Sequence, residues 1–197
     1  MSSLSRCNLL LNGQETIEVD FKSLHPRIIY AVLGIELPDG FDPYAISPDN
    51  FELPDTPEIR QQLRNLSKIG LLILLNASNP YQALGALETE FKEAKIAYDF
   101  DLLPDNLSLR NVISALKEIN PEIAAKFHSG AGLLLQNYDS NIAELVISYF
   151  TEKGIPVIPI HDSFIVAKEF EQEMHYIMKE AYECIVGSTL NCIVETK

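Results

Sequence analysis

The chain has 197 residues, 47% of them hydrophobic and 22% charged, a balance that lets one domain, or one domain with an inserted lobe, bury a sizeable core. Its 28 acidic and 15 basic side chains give a net charge of −13, so its average field repels DNA and RNA, whose free-standing binders are usually basic. No apolar run reaches the roughly 18 residues of a membrane span, and the opening MSSLSRCNLLLNG lacks a small-residue cleavage pattern, so it reads as mature sequence rather than a signal peptide.

In chain order, CNLLLNGQETIEVDF predicts a β-hairpin, with two apolar-rich runs around the tight-turn pair Asn12-Gly13. In its second run Ile17 and Val19 point one way, while Thr16, Glu18 and Asp20 point the other. Pro26 suits the first turn of a helix that runs to about Gly34. Five prolines between residues 36 and 57 predict a loop holding at most a short helical turn. Thr56-Pro57-Glu58 then opens a long helix, with Thr as N-cap, Pro at the first helical position and an acid in the first turn. A second helix follows Asn79-Pro80, and SLRNVISALKEI is a third. The stretch PEIAAKFHSGAG reads as a short helix and a break, followed by a longer helix ending at Gly154.

In IPVIPIHDSFIVAKE, Pro156, Pro159 and the β-branched residues exclude helix and predict two strands, with His161-Asp162-Ser163 at the turn. EFEQEMHYIMKEAYECIVG is an amphipathic helix, and NCIVETK a last short strand. Strands thus come from both ends of the sequence with helices between them. That order predicts an α+β fold: a small antiparallel sheet with helices on one face, and a helical lobe inserted at about residues 36–153 of a single domain. Cys7, Cys184 and Cys192 are too scattered for a disulfide framework or a zinc site, and fit small buried hydrophobes in a reducing cytoplasm.

Two acids stand at strand ends, Asp20 and Asp162. Either alone reads most simply as a solvated turn acid. An antiparallel sheet can bring both to one edge, where carboxylates about 4 Å apart repel by roughly 4 kcal/mol at an effective dielectric near 20. A divalent cation removes that repulsion, and two acids bridging a pair of Mg²⁺ ions make a phosphoryl-transfer site. On the long helix Arg60, Arg64 and Lys68, spaced i, i+4, i+8, share one face. That stripe suits either a clamp on triphosphate oxygens or a solvated face pairing with Glu58 and other acids.

These residues resemble the palm and fingers of nucleic-acid polymerases. DFKSLHPR looks like motif A: Asp20 matches the metal-binding Asp, and Ser23, Leu24 and Pro26 match the family B form D-x-x-S-L-Y-P-S. IHDSF looks like motif C of family A DNA polymerases, and more closely like that of single-subunit RNA polymerases. Arg64 and Lys68 match the R-x-x-x-K of motif B, and LQNYDSNIAEL is similar to the helix before motif C. The resemblance runs in the order A, B, C from about Glu15 to Lys168. It points to a reduced family A-like core of phage or plasmid type, with a palm-like sheet and a fingers-like lobe.

The resemblance implies template-directed nucleotidyl transfer in DNA replication. Asp20, Asp162 and the Phe21 backbone carbonyl would hold two Mg²⁺ (or Mn²⁺) ions. Arg60, Arg64 and Lys68 would orient a nucleoside triphosphate, with His25 near its sugar. Gln136 and His161 would position a primer-template. His25 departs from the Glu or Tyr of the families, Leu72 from the Phe or Tyr of the fingers, and Ser163 from the Glu of V-H-D-E. The chain begins almost on the motif A strand, so an upstream protein fragment is a further expected partner.

Two other classes remain open. One is a non-catalytic interaction module on a polymerase-like fold, which the −13 charge favours. The other is a metal-dependent phosphohydrolase built on His161-Asp162, a chemistry that wants this pair on a helix. His128 and His175 read as ordinary helix surface.

Overall fold

The computed structural model describes residues 9–97 and 99–197. Cys7 and the start of the expected first strand lie outside the described residues. The fold is α+β. The strands are β1 (Leu10–Leu11), β2 (Gln14–Phe21), β3 (Ile158–Ile160), β4 (Ser163–Ala167) and β5 (Val194–Thr196). The helices are α1 (Leu24–Val32), α2 (Pro57–Asn76), α3 (Pro80–Ile96), α4 (Leu109–Ile119), α5 (Ala131–Glu152) and α6 (Glu171–Val186). Two compact units divide the chain: Met1–Pro38 with Leu135–Lys197, and Asp39–Leu134 between them.

In the first unit, β2 is the hub of an antiparallel sheet. It pairs with β1, β4 and β5, and β3 adds to the far side of β4. Asn12 and Gly13 both have positive φ, 53° and 79°, as the tight turn between β1 and β2 requires. The register sets Val19 opposite Phe164 and Ile17 opposite Val166. With Phe21 these side chains make the apolar face, which α6 covers; the Phe21 and Tyr182 ring centroids lie 6.2 Å apart. By strand alternation Glu18 and Asp20 face the other way. The expected turn His161-Asp162-Ser163 is shorter by one residue, because Ser163 already pairs with Ile160 and Asp20 as part of β4.

The helical insertion was expected at about residues 36–153. The inserted unit ends at Leu134, and α5 runs on into the first unit. There the Tyr149 hydroxyl donates to Glu173 on α6 at 2.7 Å, and Lys153 pairs with the same carboxylate. Helical periodicity marks a buried stripe but does not say which unit buries it. The short helix expected in PEIAAK is only a single 3₁₀ turn, Ala124–Lys126.

The inserted unit is helical. Thr56, Asn79 and Ser108 cap α2, α3 and α4, each side chain accepting the amide three residues on. The proline-rich loop before α2 holds one 3₁₀ turn, Pro48–Phe51. Buried Asn120 ties this loop down, donating to the Pro43 carbonyl at 2.9 Å. Leu63, Leu66, Leu74, Leu87, Val112 and Leu116 are almost wholly buried.

Gly70 lets α2 approach α4, since a Cβ there would stand 3.0 Å from Leu116 Cδ1 and 3.8 Å from Leu87 Cδ1. Gly70→Val puts two further methyls into that contact and should lower stability by about 1–3 kcal/mol through overpacking. Urea denaturation followed by circular dichroism measures it; an unchanged midpoint would show that the helices are not packed this closely.

Candidate active site

The two strand-end acids come from distant parts of the sequence and stand at adjoining ends of β2 and β4. Asp20 stands opposite Ser163, and the Phe21 amide donates to the Asp162 carbonyl at 3.1 Å. Asp162 is the residue before Ser163, so the Cα atoms of Asp20 and Asp162 are within about 9 Å of each other. In an antiparallel ladder the carbonyl of Phe21 points to the same neighbour as its amide, toward Asp162. Two non-glycine residues with left-handed backbone flank the acids: Ser23 (φ 52°), where β2 gives way to α1, and His161 (φ 54°), just before Asp162. Such conformations cost of order 1 kcal/mol each and collect at functional turns.

The polar face of β2 carries more than the sequence singled out. The Asp20 side chain is only 13% exposed, and its Oδ2 lies 2.9 Å from the Lys197 ammonium. The same ammonium reaches Glu18 Oε1 at 3.3 Å, while the Lys197 amide donates to the Glu18 carbonyl at 2.9 Å. Burial alone would lower the pKa of Lys197, but the Asp20 and Glu18 carboxylates outweigh it and raise it overall. The Ser163 hydroxyl donates to Glu18 Oε1 at 2.7 Å. One cation thus already sits between two carboxylates on this face.

A second acid group forms beside Asp162. Asp139 on α5 has its carboxyl pushed up to about 6, first by burial and then by the charge of Asp162, with His161 pulling the other way. His25 on α1 brings Nε2 to 4.0 Å from Asp139 Oδ2. Gln136 is exposed and lies one helical turn before Asp139, on the same side of α5. His25, His161 and Asp162 are therefore gathered around one unexpected acid, with Gln136 one helical turn away.

Arg60, Arg64 and Lys68 belong to the inserted unit and differ in their engagements. Arg60 forks onto Asp55, and Arg64 Nε donates to Asp42 Oδ2 at 2.6 Å while its guanidinium stacks over Tyr44, 5.4 Å from the ring centroid. Both arginines bind acids of the proline-rich loop, rather than standing as a bare stripe or pairing with Glu58. Lys68 is exposed and makes no ion pair among the described residues.

Among the described residues, no group of three or more His, Cys, Asp or Glu side chains could hold a metal ion. Asp20, Asp162 and the Phe21 carbonyl are hard oxygen donors, the type that Mg²⁺ takes, and in this structure Asp20 is paired with the Lys197 ammonium. His161-Asp162 lies in the turn between β3 and β4, not on the helix that a His-Asp phosphohydrolase requires.

Glu18 was the one addition within reach of the sequence, because it alternates with Asp20 on the same strand face. Lys197 and Asp139 were not, since only the β5 register and the docking of α5 bring them in.

No family model matches the chain, and no curated protein matches it. Among solved structures it is similar to the POL domain of Pol1 from M. smegmatis in complex with DNA primer-template and dNTP, with 15% identity and a TM-score of 0.44. That similarity covers 97% of this chain but only 41% of the other. Among the described residues no helix is long and apolar enough to cross a membrane.

Because burial and Asp162 raise the Asp139 pKa, the folded chain holds a proton there that the unfolded chain gives up near pH 3.8. Stability should therefore fall as pH rises from about 4 to about 6, and the penalty should persist above that. Asp139→Asn should remove it, gaining about 1 kcal/mol at pH 7 relative to pH 4 after solvent screening. Denaturation at both pH values in chelating buffer checks this; an equal effect at each pH would place Asp139 in a water-like environment.

Proposed function

We propose that this chain is a nucleotidyltransferase core that joins nucleoside triphosphates to a template-paired primer. The observation that carries the reading is the β2–β4 register, which sets Asp20 and Asp162 on adjoining strand ends with a cation already against Asp20. The motif resemblance of DFKSLHPR, Arg64 to Lys68 and IHDSF, in that order, supports it.

In this proposal Asp20, Asp162 and the Phe21 carbonyl hold two divalent ions, Mg²⁺ or Mn²⁺. When bound, such a pair lowers the pKa of a primer 3′-hydroxyl and steadies the departing pyrophosphate. The chain's own residues do the positioning. Lys197 leaves Asp20 and retains Glu18 as its partner. Arg64 and Lys68 steer the triphosphate, for which Arg64 must exchange the Asp42 carboxylate for phosphate oxygens, and Arg60 must do the same with Asp55. His161 and Gln136 contact the primer-template, and His25, held toward Asp139, borders the sugar.

A second reading has its own observations. Lys197 neutralises Asp20, and both arginines of the stripe are bound to acids, as suits a polymerase-like module kept for binding another protein. Thermal shift with Mn²⁺, with and without a nucleoside triphosphate, separates the two. The enzyme reading expects wild-type protein to be stabilised by metal and further by metal plus nucleotide, Asp162→Asn to respond to neither, and labelled primer to be extended only by wild type. No response and no extension would leave the binding module.

Lys197→Met should sharpen the result. Without its ammonium, Asp20 and Glu18 repel, so the metal-free protein should melt earlier while the Mn²⁺-induced shift grows. An unchanged metal response would mean that Lys197 and the metal do not compete.

A further inference from the structure

Helix α3 and the start of α4 border a cavity of about 820 Å³ within the inserted unit. That volume falls in the range of about 300–1,000 Å³ typical of small-molecule sites. Phe91, Leu107 and Leu109, all largely buried, contribute apolar surface. Ile96, also a lining residue, is 78% exposed.

The rim carries Lys92, Lys95 and Arg110 against Glu88 and Asp105. Lys95 is committed, with its ammonium 2.9 Å from Asp105 and 2.6 Å from the Leu103 carbonyl. Lys92 and Arg110 are exposed and make no ion pair among the described residues. In a chain of net charge −13, two exposed cations that pair with no acid among the described residues give the cavity's rim a positive end. Arg110 also sits in the first turn of α4, where the helix dipole adds to the positive field.

We propose that this cavity binds a small amphipathic anion, its apolar body on Phe91, Leu107 and Leu109 and its anionic head between Lys92 and Arg110. The site is separate from the strand-end acids and does not depend on nucleotidyl transfer.

The test uses the full chain and three probes: 1-naphthyl phosphate, neutral 1-naphthalenemethanol and inorganic phosphate. Binding is followed by amide chemical shifts and calorimetry. The proposal expects saturable one-site binding of 1-naphthyl phosphate, at least about tenfold tighter than either fragment, with shifts confined to α3, α4 and the segment joining them. Arg110→Glu, at an exposed first-turn position, should weaken binding about tenfold or more with the melting temperature unchanged. Leu84→Trp, filling the cavity from α3, should block it. Failure to saturate, equal binding of inorganic phosphate, shifts elsewhere, or an unaffected Arg110→Glu variant would each overturn the site.

Discussion

The antiparallel ladder between β2 and β4 is the constraint on which the rest of the first unit depends. Those strands lie at opposite ends of the chain, so closing them costs loop entropy that only a well-packed sheet repays. The repayment is visible on the apolar side, where Val19, Phe21, Phe164 and Val166 are all buried. Because side chains alternate along a strand, the same register that buries those residues forces Glu18 and Asp20 onto the opposite face. A slip of one residue would set the acids against α6 and take the apolar residues out of that contact. The hydrophobic effect therefore sets the position of the carboxylates, and the chemistry proposed for them inherits its precision from packing.

The electrostatics follow from that placement. A carboxylate as enclosed as Asp20 needs a compensating charge, and Lys197 supplies it from the residue after β5. Asp139 lacks so direct a partner: His25 stands 4.0 Å away and Asp162 repels it, and its pKa rises accordingly. The two acid groups thus meet the same problem differently, one with an internal ammonium and one with a carboxyl that takes up a proton more readily, at about pH 6. In the inserted unit the acids of the proline-rich loop take Arg60 and Arg64.

Much of the architecture was legible in the residues themselves. Asn12-Gly13 announced the hairpin, Thr56-Pro57 and Asn79-Pro80 announced helix starts, and Pro156 and Pro159 excluded helix before β4. These are local rules, satisfied by a few neighbouring atoms. The boundary of the insertion was not legible, because α5 is one uninterrupted helix whose two ends belong to different units. The strand-end acids could be singled out from alternation and turn position. Lys197 and Asp139 could not, since their approach depends on which strand edge β5 chooses and how α5 docks. The engagements of Arg60 and Arg64 were hidden for a similar reason: helical spacing shows which residues share a face, but not what the preceding loop lays against it.

The central claim is that Asp20 and Asp162 act as one cation-binding pair. Electron paramagnetic resonance of Mn²⁺ bound to the full chain tests it most directly. The account predicts that Asp20→Asn and Asp162→Asn each weaken Mn²⁺ binding, and that the double variant is little worse than either single one, as for two ligands of a shared centre. Losses that add independently, or Mn²⁺ binding indifferent to both substitutions, would contradict it.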